Sequence, residues 1–172
     1  FYDIVAGVFA TLDLGRETLT VIRSGCYLTH DSIMYAAYAR QMLARWPEAR
    51  DLGEPPRAAL EVWAYVQSRP EPGRAILALG KRDCSYDAGL PKPLTWYRPG
   101  GRTGPEELVG GCTSVEVNDQ HLFMDLPDSA PLAIGDMVAF GISHPCLTFD
   151  KWQVIPIVDD DYNVVSAIRT FF

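Results

Sequence analysis

The sequence predicts a mainly β fold, with a carboxy-terminal β-barrel or sandwich preceded by a short α/β portion. Three observations carry that prediction. Apolar residues recur at helical spacing in two stretches before residue 50. A segment rich in proline, glycine and charge, RDLGEPPR, then breaks the pattern. Beyond it come short β-branched and aromatic runs separated by turn residues, with no helical period among them. The break divides the chain into residues 1–52 and 53–172.

FYDIVAGVFATL sets Ile4, Val8 and Leu12 on one face of a short helix. LTVIRSG is a compact β-branched run and reads as a buried strand reaching a turn at Ser24-Gly25. HDSIMYAAYARQMLARW is the strongest helix: Asp31 caps its start, Pro47 follows its end, and Ile33, Ala37, Tyr38, Gln41 and Met42 share one side. After the linker, LEVWAYVQS alternates as a strand, RPEPGR turns, and AILALG returns. TSVEVND, HLFMDL, DMVAFGI, QVIPIV and YNVVSAIRTFF continue the series. Between them KRDCSYDAGLPKPLTWYRPGGRTGPEE reads as one long loop, and loops of that length in a compact domain are usually functional or mobile.

The chain has 172 residues, enough for one domain of ordinary size or two small ones, and a net charge of −7. That charge argues against a nucleic-acid backbone or an anionic membrane as partner. No apolar run approaches the ~20 residues of a membrane span, and no signal-peptide pattern is present. The chain starts at Phe1 inside an apolar pattern, so the expectation is a piece of a longer protein. Cys26, Cys84, Cys112 and Cys146 form no CxxC pair, which points to a reduced, cytoplasmic protein whose thiols are mostly small core residues.

Cys146 stands apart because of its setting in GISHPCLTFDKW (residues 141–152), two residues after His144. On a strand such a pair shares a face, as a zinc-like cation requires of nitrogen and sulfur ligands. Pro145 argues against a regular central strand, and Asp150 becomes an outer-shell partner at most. Three other stretches carry chemistry-bearing groups beside an ordinary structural reading. RSGCYLTHD offers a strand–glycine–helix junction whose N–H groups can cradle a phosphate, and such junctions are also common without one. GKRDCSYDAGLP gathers Lys81, Arg82, Asp83 and Asp87, either a solvated turn or the border of a site. In NDQHLFM, His121 is either a satisfied structural group or an orienting side chain beside His144 and Cys146.

In chain order, RSGCYLTHD, GKRDCSYDAGLPKP, NDQH, GDMVAFGISHPCLTFDKW and IPIVDDDYNVVSAIRTFF resemble the carboxy-terminal portion of the D-serine dehydratase and D-threonine aldolase family. The resemblance covers nearly the whole chain, and its THD, SHPC and FDKW motifs are similar to the bacterial amino acid deaminase type. It implies an alanine-racemase-like enzyme in which a TIM-like barrel holds pyridoxal phosphate and a β domain follows. Residues 1–52 would end that barrel and 53–172 would form the β domain. Ser24, Gly25, Cys26 and Tyr27 are then the phosphate-binding positions, His144 and Cys146 the zinc ligands, and His121 the catalytic candidate. Arg82 and Asp83 match recurrent family positions without an assigned role. The family's cofactor lysine lies on an early barrel strand absent from this sequence; Lys81, Lys92 and Lys151 are not in its context.

The implied reaction takes D-serine, or a similar β-hydroxy D-amino acid, to a keto acid and ammonia, in a homodimer. Its hard step is expulsion of hydroxide. Zinc lowers the pKa of bound water from ~16 to ~7, an upper bound of ~12 kcal/mol of leaving-group help. General acid catalysis alone gives ~3–5 kcal/mol, so a metal is the larger effect. Two rivals remain open on the sequence: metal-dependent aldol cleavage of D-threonine, and a non-catalytic β module with a closed metal site.

Overall fold

The computed structural model describes every residue except 1, 22, 24, 26, 27, 55 and 102, together with the side chains of all described residues but Tyr2 and Leu52. Two helices open the chain, α1 (Tyr2–Thr11) and α2 (Met34–Arg45), followed by a 3-10 turn over Pro47–Leu52. Both helices stand where the periodicity predicts them. Asp31 does anchor the start of α2: Oδ1 accepts the N–H groups of Ile33 (2.8 Å) and Tyr35 (3.1 Å), two of the donors a helix start leaves orphaned.

LTVIRSG does not form the expected strand among its described residues. Leu19 and Val21 are exposed, 87% and 75%, with no ladder beside them. β-branched residues favour a strand only against a paired, half-buried surface, and no described neighbour supplies one.

Among the described residues the rest is built on nine strands: β1 (Glu61–Glu71), β2 (Arg74–Leu77), β3 (Lys92–Tyr97), β4 (Glu106–Glu107), β5 (Thr113–Val117), β6 (Leu122–Asp125), β7 (Met137–Gly141), β8 (Val154–Val158) and β9 (Val164–Arg169). Seven form one antiparallel sheet in the order β4-β3-β7-β1-β2-β6-β5, and β8 and β9 form a separate hairpin. The expected barrel or sandwich is thus a curled sheet that stops short of closure. Its last strand, β5, comes back toward β3, where the Ser114 hydroxyl donates to the Pro91 carbonyl (2.5 Å). Among the described residues no backbone ladder joins those two strands.

Alternation along the strands fills the inside of the curl. Val62 and Ala64 of β1 lie opposite Phe140 and Val138 of β7, and Ala75 and Leu77 of β2 lie opposite Met124 and Leu122 of β6. All are buried, and Trp96 of β3 packs into the same core. At ~25 cal/mol per Å² of apolar surface, this core is what holds the sheet curled.

The predicted long loop contains two of the strands, β3 and β4. Pro93 hides β3 from a propensity reading, but the ladder to β7 shifts register between Pro93 and Trp96. An irregularity of that kind is where a strand tolerates proline.

The helical segment touches the sheet through residues 29–33. Ala59 donates to the Thr29 carbonyl (2.8 Å) and Ser32 to that of Ile142 (3.1 Å). Gly141 makes this possible, since a Cβ there would overlap the Ser32 side chain. No helix is long and apolar enough to cross a membrane among the described residues.

Candidate functional site

Past the end of β7, the chain continues as Ile142-Ser143-His144-Pro145 and enters a single helical turn, α3 (Cys146–Phe149). Pro145 sits in helical conformation at φ −55° and ψ −41°. Shared strand parity therefore does not bring His144 and Cys146 together, which corrects the sequence argument: proline's fixed φ favours a helix start over an extended strand. His144 is half-buried and Cys146 is exposed.

A second segment, residues 80–91, is locked against this corner. Buried Ser85 accepts the His144 N–H on its Oγ (3.0 Å), lies 3.2 Å from the Ser143 hydroxyl, and donates its own N–H to Thr148 Oγ1 (3.0 Å). The Trp152 indole N–H donates to the Asp83 carbonyl (2.7 Å). Asp87 Oδ2 then meets His144 Nδ1 at 2.8 Å. The Asp87 carboxyl is held below its usual pKa, chiefly by that hydrogen bond, so it is ionised and can only accept. The contact engages Nδ1 and leaves Nε2 as the ring's other nitrogen.

Asp87, not Asp150, is the carboxylate on His144. Asp150 pairs instead with Lys151 (3.3 Å). Asp83 has a structural task, accepting the Gly80 N–H on Oδ2 (2.8 Å), and Arg82 lies 3.8 Å from Asp119 at the surface. The sequence reading counts Ser85 among the residues that make this loop a possible border of the site, but gives Ser143 and Thr148 no part. Small hydroxyls inside apolar runs carry no signal until their burial is known.

His121 is exposed at the turn between β5 and β6, its carbonyl accepting the Asn118 N–H (2.8 Å). That turn docks on the same 80–91 loop, through Lys81 N–H to the Asn118 carbonyl (2.9 Å) and Arg82 N–H to that of Asp119 (3.1 Å). Of the expected phosphate positions, Ser24, Cys26 and Tyr27 lie outside the described residues; Gly25 is exposed in a turn with open space where a Cβ would stand. His30, next along, is buried in a left-handed conformation at φ 52°. Cys84 is a core thiol, pushed up to about 12 by burial and by Asp83. Cys112 is also raised, chiefly by burial.

Among the described residues no group of three or more His, Cys, Asp or Glu side chains is arranged to hold a metal ion. A closed structural site is thus without support there. The imidazole of half-buried His144 and the exposed thiol of Cys146 remain, two residues apart in sequence and of the donor types that zinc takes.

The sequence profile of the family described as "Putative serine dehydratase domain" matches residues 59–158. The chain belongs to that family. The match spans the curled sheet and the whole His144 corner. It agrees with the resemblance to the D-serine dehydratase and D-threonine aldolase type. Among solved structures, a D-threonine aldolase from Filomicrobium marinum is similar at 23% identity and a TM-score of 0.54, over 66% of this chain and 28% of that one. An Ala racemase-like protein from Idiomarina loihiensis is similar at 17% identity and a TM-score of 0.51, over 67% of this chain and 32% of that one. These likenesses concern the fold, and the chain spans under a third of either structure's length. No curated protein sequence matches it.

Proposed function

We propose that this chain is the metal-bearing carboxy-terminal part of a pyridoxal-phosphate- and zinc-dependent D-amino acid dehydratase, acting on D-serine or a similar β-hydroxy D-amino acid to give a keto acid and ammonia. The observation that carries the reading is the His144 corner: an imidazole held at Nδ1 by Asp87, with Cys146 exposed beside it, inside the segment the family profile matches. Residues 1–52 are in this reading the end of the cofactor barrel and 53–172 the β domain, in a cytoplasmic homodimer. Ser24, Gly25, Cys26 and Tyr27 cradle the cofactor phosphate.

His144 through Nε2 and Cys146 through its sulfur would hold the ion, which would act on the substrate hydroxyl. His121 orients that hydroxyl by hydrogen bonding. When bound, pyridoxal phosphate supplies an electron sink at Cα and zinc a Lewis acid at the β-oxygen.

The test uses the longer protein that contains this chain, loaded with both groups and offered D-serine and D-threonine. D-serine is expected to yield keto acid and ammonia. Glycine and an aldehyde from D-threonine would replace this reading with aldol cleavage. His144→Ala and Cys146→Ala are each expected to lose stoichiometric zinc and at least ~10²-fold in activity, in line with removal of a transition-state charge stabiliser. Full zinc retention by both variants would defeat the metal assignment.

A further inference from the structure

We infer that Asp87 is the positioning residue of this corner, fixing the His144 ring so that Nε2 faces the bound cation. The inference rests on the metal reading above and adds a residue, an atom and a loop to it. Three observations carry it.

The first is geometry. Asp87 Oδ2 and His144 Nδ1 are 2.8 Å apart although 57 positions separate them in sequence. The carboxylate engages Nδ1 across that distance and leaves Nε2 as the ring nitrogen that remains for another partner.

The second is the care with which the surrounding backbone is fixed. Ser85 lies two residues before Asp87 and is fully buried. It holds the His144 N–H with its hydroxyl, and its own N–H is held by Thr148 on the far side of Pro145. Trp152 pins Asp83 at the start of the same loop. Both ends of the ring's environment, its backbone and its Nδ1, are thus set by one segment. Gly89 continues that segment at φ 126°, a conformation side chains rarely adopt, with Ser143 and Ile33 packed against it.

The third is energetic. The side chains of His144 and Asp87 are 37% and 42% exposed. Exposed ion pairs add about 0–1 kcal/mol to stability, so the fold gains little from this pair. Orientation of a ligand nitrogen is what the arrangement accomplishes, and partners of that type typically change metal affinity 10–100-fold when removed.

The experiment uses the longer protein with two readouts. Zinc affinity is measured by competition with a chromophoric chelator. The His144 tautomer is read in metal-free protein from ring nitrogen NMR, with the signal assigned by its loss in His144→Ala. Asp87→Ala is expected to weaken zinc binding 10–100-fold and to mix the tautomers, with an unchanged unfolding midpoint. Asp87→Asn keeps an acceptor for Nδ1–H and is expected to restore the tautomer and most of the affinity; it also serves if the alanine variant fails to fold. If His144→Ala loses zinc while Asp87→Ala keeps both affinity and tautomer, the positioning role is overturned and the metal reading stands. If His144→Ala keeps its zinc, the metal reading itself fails and this inference falls with it, whatever the tautomer does.

Discussion

The helical segment and the curled sheet draw on similar apolar side chains and treat them differently. In the sheet, Leu77, Leu122, Val138 and Phe140 are fully buried. In the first 28 residues, Ile4, Val8, Phe9, Leu12, Leu19, Val21 and Leu28 are all about half exposed or more. A hydrophobic pattern selects a local conformation, but burial needs a facing surface, and only the sheet's curl supplies one within the described residues. Residues 29–33, which meet Ala59, Gly141 and Ile142, mark where the first regime gives way to the second.

Core truncation should separate the two regimes most sharply. Phe140→Ala is expected to cost ~3–5 kcal/mol, the range for emptying an aromatic site in a packed core, while Leu19→Ala stays within ~0.5 kcal/mol. Urea unfolding of both variants checks it, and equal losses would refute the contrast. Gly80→Ala comes next. Its new Cβ would overlap the Asp119 carbonyl, a backbone atom that cannot swing aside. A loss of about 3 kcal/mol is expected, at the top of the overpacking range, with the 80–91 loop displaced from the β5–β6 turn. Resistance of that loop to limited proteolysis should fall in parallel. A smaller loss than either belongs to the anchor of the helical side. Asp31→Ala removes the acceptor for the Ile33 and Tyr35 N–H groups and should cost ~1–2 kcal/mol, seen as a loss of helical circular dichroism.

What could be read in the sequence follows the same division between local and distant causes. The α2 helix, its Asp31 anchor and the β1 alternation at Val62, Ala64 and Val66 depend on neighbours a few residues away, and the sequence reading has them. β3 is hidden in the sequence because its main partner, β7, lies some forty residues on and Pro93 weakens the local signal. LTVIRSG shows the converse, strong local propensity with no partner strand among the described residues. At the candidate site, His144 and Cys146 were visible as a motif, but the strand geometry assigned to them was not what Pro145 imposes. Asp87 was noticed only as one charge in a loop, since nothing local to residue 87 announces a contact 57 positions away.

The open ends of the curled sheet have a consequence for behaviour at high concentration. A strand edge with unpaired amides is a template on which a second molecule can add. Here one edge is β4, two residues long and made of Glu106 and Glu107, both solvent-facing. So short and acidic a margin gives a neighbouring copy little to zip onto and repels the same margin on another molecule. Its guard is thus length as much as charge.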